Sequence, residues 1–310
     1  MASPLESKTL LYRCVNIGLL LLIAFLWASA FGAMKVAVPE TGPMTLAAVR
    51  SSIAAVILLS LLRLKGPIAW HLMITQFPKF LIIGGVGTAL PFMMIPWAEL
   101  YVESSLAGLL ISIGPLATLA GAWAFGIETN IPKRRLIGLL LGLCGVIFIL
   151  QEGFVSLGST HLIAQIVIVI ASLCYVCGNL MVRYVSFIPP LTISALAMSF
   201  ASCLLWPIAF IFEQPAPTAW SPIAWQMILW LGIMPTALAF SVRYYLIGRA
   251  GPSFTSYVGY LIPAIAVIIG AVWLGEAITY DKIAALAFIL FGLLLAQKPS
   301  TLTAPSQLKG

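Results

Sequence analysis

Residues 79–100 read KFLIIGGVGTALPFMMIPWAEL, with no charge between Lys79 and Glu99. A helix needs about 20 predominantly apolar residues to cross a bilayer core, so this stretch is read as one crossing. It carries Gly84 and Thr88-Ala89-Leu90, and 148 residues further on the chain repeats them as Gly232 and Thr236-Ala237-Leu238. The same register pairs Ser105 with Ser253, Pro115 with Pro263 and Glu128 with Glu276. It also sets Trp27 against Tyr175 and Lys35 against Arg183. Self-similarity at a fixed spacing marks two copies of one structural unit.

The rest of the chain agrees with a lipid solvent. Of 310 residues 62% are apolar and 8% charged, against roughly 25% charged in a soluble domain. A β-barrel alternates apolar and polar residues along each strand, whereas these segments are apolar all round. Apolar runs bounded by charges, Pro and Gly fall at 11–36, 43–64, 79–100, 104–126, 134–151, 161–184, 190–212, 223–247, 253–274 and 280–297. The first run carries no charge from Ile17 to Phe31, longer than the 7–15 apolar residues of a signal peptide, and is kept as a helix. The expected class is an all-α integral membrane protein with ten transmembrane helices. Residues 11–151 and 161–297 form two five-helix repeats, followed by a polar tail at 298–310.

Because five is odd, the second copy enters the membrane from the opposite side, giving inverted repeats of the kind that build secondary transporters. Cytoplasmic loops carry the excess of Lys and Arg. With the N-terminus inside, thirteen of these residues, from Lys8 and Arg13 to Lys298 and Lys309, fall on the inner side and only Lys35 and Lys282 outside. Both termini are therefore expected in the cytoplasm. The net charge of +7 punctuates apolar runs and makes no basic stripe, which excludes a nucleic-acid partner. Cys14, Cys144, Cys174, Cys177 and Cys203 lie in or beside apolar runs and are read as small core residues.

Trp27-Ala28-Ser29-Ala30-Phe31 followed by Lys35, with Arg50 beyond Pro43, resembles the opening of an EamA-type repeat of the drug/metabolite transporter superfamily. So does Pro115 with Glu128, repeated as Pro263 with Glu276. The resemblance extends from about residue 17 to 297. It implies ten helices, cytoplasmic termini, a central cavity between the halves and export of small metabolites. Within the superfamily the chain looks most like the YddG-type exporters of aromatic and neutral amino acids. It departs from its own pattern at Arg50, which meets Met198 in the second copy.

Substrate sites in such folds lie near the bilayer midplane, where Gly or Pro interrupts corresponding helices. Pro115 and Pro263 are the candidate breaks or hinges. Each frees the carbonyl four residues earlier, Ile111 and Gly259, which then needs a partner. Arg50, about seven residues into its helix, is costly at that depth. It either meets a substrate carboxylate, snorkels outward or pairs with Glu99 or Glu103. Lys35 and Arg183 close helices, where a cation suits the dipole. Glu128 and Glu276 oppose it and are read as mouth clamps, answered by Lys133–Arg135 and by Lys282. The aromatic cavity candidates are Trp27, Phe31, Trp97, Tyr101, Tyr175, Tyr244, Tyr257 and Tyr260, each also readable as a lipid-facing or interfacial ring. Asn179 stands one turn beyond Tyr175 and shares its face.

Three classes compete. An enzyme needs a set of converging catalytic groups; the acids are scattered and no metal or cofactor motif appears. A channel needs rings of charge along a pore. A transporter needs only the repeat and a pocket, and it is the reading adopted. Its expected partners are a small-molecule substrate and the bilayer, with monomer or homodimer left open. Sugar phosphates, nucleotide sugars and lipophilic drugs stand as alternative cargoes, although phosphates call for several converging cations. No acid lies near a helix centre, and His71 and His161 sit at span ends, so downhill export or exchange is expected rather than a buried proton relay.

Overall fold

The computed structural model describes residues 4–124, 132–155, 159–250, 252–255 and 257–296, and no strand occurs among them. In lipid every backbone group must be satisfied within its own segment, which is why a chain of this hydropathy is helical throughout. The helices are α1 (Pro4–Thr41), α2 (Pro43–Arg63), α3 (Phe77–Glu99), α4 (Ser104–Ile111, continued as Ile113–Ala124) and α5 (Lys133–Val155). They continue with α6 (Ser159–Val182), α7 (Pro190–Phe212), α8 (Pro222–Leu231 onward to Ala250), α9 (Pro252–Thr255 and Val258–Leu274) and α10 (Tyr280–Ala296).

Among the described residues seven helices are long and apolar enough to cross a membrane, and α5, α9 and α10 are not in that set. The main part of α9 and the described part of α10 are 17 residues each. At 1.5 Å per residue that is about 26 Å, short of the roughly 30 Å hydrocarbon core. The first helix outruns its expected end and continues to Thr41. Prolines start α2, α7 and α8, where their missing N–H is no loss.

Two departures from α geometry matter most. Leu81–Ala89 in α3 and Gly232–Leu238 in α8 are π-helical, and each contains the Thr-Ala of its Thr-Ala-Leu copy. The Thr88 hydroxyl donates to the Ile83 carbonyl at 2.9 Å and that of Thr236 to the Leu231 carbonyl at 2.7 Å. Both bonds run five residues back. In α3 the irregularity lies in the turns before Pro91 and Pro96.

Helix pairs close on glycine. A Cβ on Gly87 of α3 would lie 2.5 Å from the Gly178 Cα of α6, and one on Gly292 of α10 would lie 2.5 Å from the Gly142 nitrogen of α5. Small residues allow such backbone approach, the main source of helix association in lipid. Hydroxyls and indoles add links: Trp206 Nε1 donates to Ser52 Oγ at 2.9 Å, and Ser52 and Ser202 Oγ atoms are 2.7 Å apart.

Gly292→Leu should therefore force α5 and α10 apart, at about 1–3 kcal/mol for overpacking. Thermal unfolding of the purified protein in detergent should show a clear drop in Tm. Gly18→Ala, a site with nothing within 4 Å of the added carbon, should leave Tm unchanged.

Candidate functional site

A cavity of about 420 Å³ is lined by α1 to α4 and α6 to α9, with Ile83, Gly87 and Thr88 of the α3 π-turn in its wall, within the range of small-molecule sites. Its rings are Trp27, Phe31, Phe92, Tyr175 and Phe240, and its polar side chains include Thr88, Asn179, Ser194, Arg50 and Arg243. The wall follows the sequence register. Trp27 and Tyr175, Ala30 and Gly178, Phe31 and Asn179, Met34 and Val182, Arg50 and Met198, Phe92 and Phe240, and Ile95 and Arg243 all line it, each pair 148 residues apart.

Arg50 is buried. Its Nε donates to Thr236 Oγ1 at 2.8 Å, Nη1 lies 3.5 Å from Met34 Sδ, and the guanidinium stands 4.1 Å from the Phe92 ring centroid. It does not snorkel outward, and among the described residues no carboxylate makes an ion pair with it. Glu103 is taken by Lys282, and the fully buried Glu99 oxygens have no hydrogen-bond partner among the described residues. The guanidinium is thus held by a hydroxyl and a ring face, which leaves donors for a ligand. Arg243 stands 5.7 Å from the Trp27 ring, and Trp27 meets Phe240 edge-on at 5.8 Å. The Trp27 indole N–H donates to the Pro235 carbonyl at 2.9 Å, inside the π-turn.

Trp27, Phe31, Arg50, Tyr175 and Asn179 are brought together in this cavity. The other expected rings are not. Trp97 packs on exposed Tyr101 at 5.2 Å, and Tyr257 on Tyr260 at 6.0 Å, whose hydroxyl donates to the Leu293 carbonyl of α10 at 2.6 Å. The side chain of Tyr244 lies outside the described residues. Pro115 and Pro263 are not in the cavity wall either. The carbonyl freed by Pro115 accepts from Ser172 Oγ of α6 at 3.0 Å, and α9 continues through Pro263. The cysteines are a further correction: four are exposed and Cys174 is half-buried, all as free thiols, which are apolar enough to face lipid. Among the described residues no group of His, Cys, Asp or Glu is placed to hold a metal ion. Sequence reasoning passed over Phe92, Phe240, Thr88 and Arg243, although the register already pairs Phe92 with Phe240.

Carboxylates gather at one end of the bundle. Glu276, presented by left-handed Gly275, accepts from the Ser104 and Ser105 amides at 2.7 and 2.9 Å and from Ser104 Oγ at 2.8 Å. Its expected partner Lys282 binds Glu103 instead. Glu213 accepts from the Met44 and Thr45 amides at 2.8 and 2.6 Å, and Glu40 from the Ser221 amide at 2.6 Å. Each acid thus sits at the positive end of another helix, opening α4, α2 or α8. Gly42, at φ 76°, could carry no side chain, since its Cβ would lie 2.5 Å from the Glu213 carboxyl. Lys35 serves the dipole of α3 rather than its own helix, donating to the Glu99 and Val102 carbonyls. Glu128 lies outside the described residues.

A sequence profile described as "EamA-like transporter family" matches residues 16–151 and again 162–297. The chain is 26% identical to the "Uncharacterized inner membrane transporter YedA" of Escherichia coli (strain K12), over 90% of this chain and 89% of that one. It is 23% identical to an "Uncharacterized transporter" of Archaeoglobus fulgidus, over 86% and 93%. A third relative, 26% identical over 83% and 84%, is the "Probable terminal-alkyne amino-acid exporter" of Streptantibioticus cattleyicolor. One solved crystal structure shares the fold at TM-score 0.64 and 18% identity, covering 92% of this chain and 97% of that one.

The carboxylate end has its own pH signature. Burial pushes the Glu276 carboxyl up, but hydrogen bonds from Ser105 and Ser104 outweigh it and hold the group below its ordinary value. A lowered folded pKa contributes stability above the unfolded value of about 4.3, which is lost as pH falls through the folded one. At pH 7 Glu276→Gln should melt below the parent in detergent. The gap should close progressively below pH 4.

Proposed function

Because this chain belongs to the EamA-like transporter family, and is a multi-pass membrane transporter rather than an enzyme, we propose that it exports small metabolites by alternating access, with neutral and aromatic amino acids as the cargo. In this reading ten spans form two inverted five-helix repeats, both termini are cytoplasmic, and the protein resides in a bacterial inner membrane. The halves rock about a central cavity. The carboxylate end faces outward, and the cavity extends the other way to Val182, the last residue of α6.

The observation that carries the cargo is the setting of Arg50. A buried guanidinium with donors to spare lies against a wall of rings, so a carboxylate finds a fork-shaped partner while an apolar side chain finds aromatic surface. A relative named as an amino-acid exporter supports the same class. Sugar phosphates and nucleotide sugars fit less well. Their charge calls for converging cations, and Arg50 and Arg243 lie at separate levels, one beside Thr236 and the other seven residues further along α8. The YddG-type subgroup remains part of this proposal, and so does the lower ranking of a lipophilic drug.

Counterflow of labelled neutral amino acids in proteoliposomes tests the assignment. A hydrogen bond to a charged group contributes about 1.5–3 kcal/mol, so Arg50→Gln should lower apparent affinity by roughly tenfold or more without loss of the folded monodisperse protein. Equal affinity in variant and parent removes Arg50 from the site. For orientation, Lys65→Cys and Gln214→Cys in a cysteine-free background should react with an impermeant thiol reagent from the cytoplasmic and outer faces respectively.

A further inference from the structure

Resting on that reading of the cavity, we propose that the site recognises its cargo as an amphiphilic carboxylate anion, reading the carboxylate and the apolar group and making no use of an ammonium. Among the described residues the lining contains two guanidiniums, Arg50 and Arg243, and no Asp or Glu. An ammonium ion would find only uncharged partners in that wall, among them the oxygens of Asn179, Thr88 and Tyr175 and the ring faces, and four carbonyls beside the irregular turns already accept a hydrogen bond. Thr88 and Thr236 occupy the carbonyls of Ile83 and Leu231, Trp27 that of Pro235, and Ser172 that of Ile111.

The cations are also placed along one line. Phe240 and Arg243 share one face of α8, and Thr236 precedes them in its π-turn. Arg50 is bonded to Thr236 at the top of that line, and the Arg243 backbone lies roughly 10 Å further along at the α-helical rise. Trp27 and Phe240 fill the interval, and Arg243 lies over Trp27. An anion seated at Arg50 with its ring between the two levels is attracted by both charges, whereas a cation in the same low-dielectric space is repelled by both. Neither arginine is duplicated in its repeat partner, which is Met198 for Arg50 and Ile95 for Arg243. The positive field is therefore a property of this wall, not of the repeat.

Three compounds with one phenylethyl skeleton separate the charges: phenylalanine, 3-phenylpropanoate and 2-phenylethylamine. Each is titrated as a competitor of labelled phenylalanine counterflow, which removes passive permeation from the readout, and by thermal shift of the purified protein. The acid should compete at least as well as phenylalanine, and the amine at least tenfold more weakly. Arg243→Gln and Arg50→Gln should each narrow the acid-to-amine ratio. Should phenylalanine exchange while the acid fails to compete, or the amine match it, the inference is overturned and amino-acid export stands. A ratio unchanged in both variants overturns it as well. A thermal shift with the acid alone, without phenylalanine counterflow, upholds the inference and removes amino acids as cargo. No response to any of the three overturns both.

Discussion

A helix in lipid that leaves its regular hydrogen-bond ladder must satisfy the released groups from within the protein. Thr88 and Thr236 do this in the two π-turns, each hydroxyl reaching back five residues to a carbonyl. The rest of the site depends on these bonds. They fix the Thr236 oxygen that accepts from Arg50, and they leave the Pro235 carbonyl free to orient Trp27. Without the π-turns there would be no shelf for a buried guanidinium and no reason for the rings to converge. Cavity geometry and backbone satisfaction are thus one problem with one solution, written in both copies as Thr-Ala-Leu.

The two copies share walls but not chemistry. Two of three aromatic positions are retained, Phe92 with Phe240 and Trp27 with Tyr175, Phe31 meeting Asn179, while each charged position is single, with Arg50 against Met198 and Arg243 against Ile95. Duplication supplies a symmetric container of the volume a metabolite needs. Substitution inside it supplies direction, because an unpaired charge at one level distinguishes the ends of the pocket. The close approach of Gly87 to Gly178 joins α3 to α6 along the cavity wall.

Much of this was legible in the sequence, for reasons that also mark its limits. Hydropathy located seven of the ten expected spans as helices long and apolar enough to cross, among the described residues, since lipid imposes a length and a composition on any crossing helix. The register of 148 residues located the Thr-Ala-Leu turns and paired Trp27 with Tyr175. Partners were another matter. For Arg50 the candidate partners were a substrate carboxylate, the outer interface and Glu99 or Glu103, and for Glu276 the candidate was Lys282, since charge is what a sequence displays. The structure answers these groups with a hydroxyl, a ring face and helix-start amides, donors and acceptors that every sequence contains and no sequence advertises. Trp97, Tyr101 and Tyr257 illustrate the same limit for rings: membrane depth can be read from sequence position, but the side of the helix they occupy cannot.

The acids that seal one end of the bundle join opposite halves of the chain, Glu40 to Ser221, Glu213 to Met44 and Thr45, and Glu276 to Ser104 and Ser105. In each case amides of the main chain give the proton. Drift at positions 44, 45, 104, 105 or 221 therefore leaves those donors standing unless proline arrives. The hereditary weak points of the closure are then the three glutamates and the glycines pressed against them, Gly42 at Glu213 and Gly270 at Glu276, while the residues that lend their amides are free to change their side chains over generations without coming unfastened.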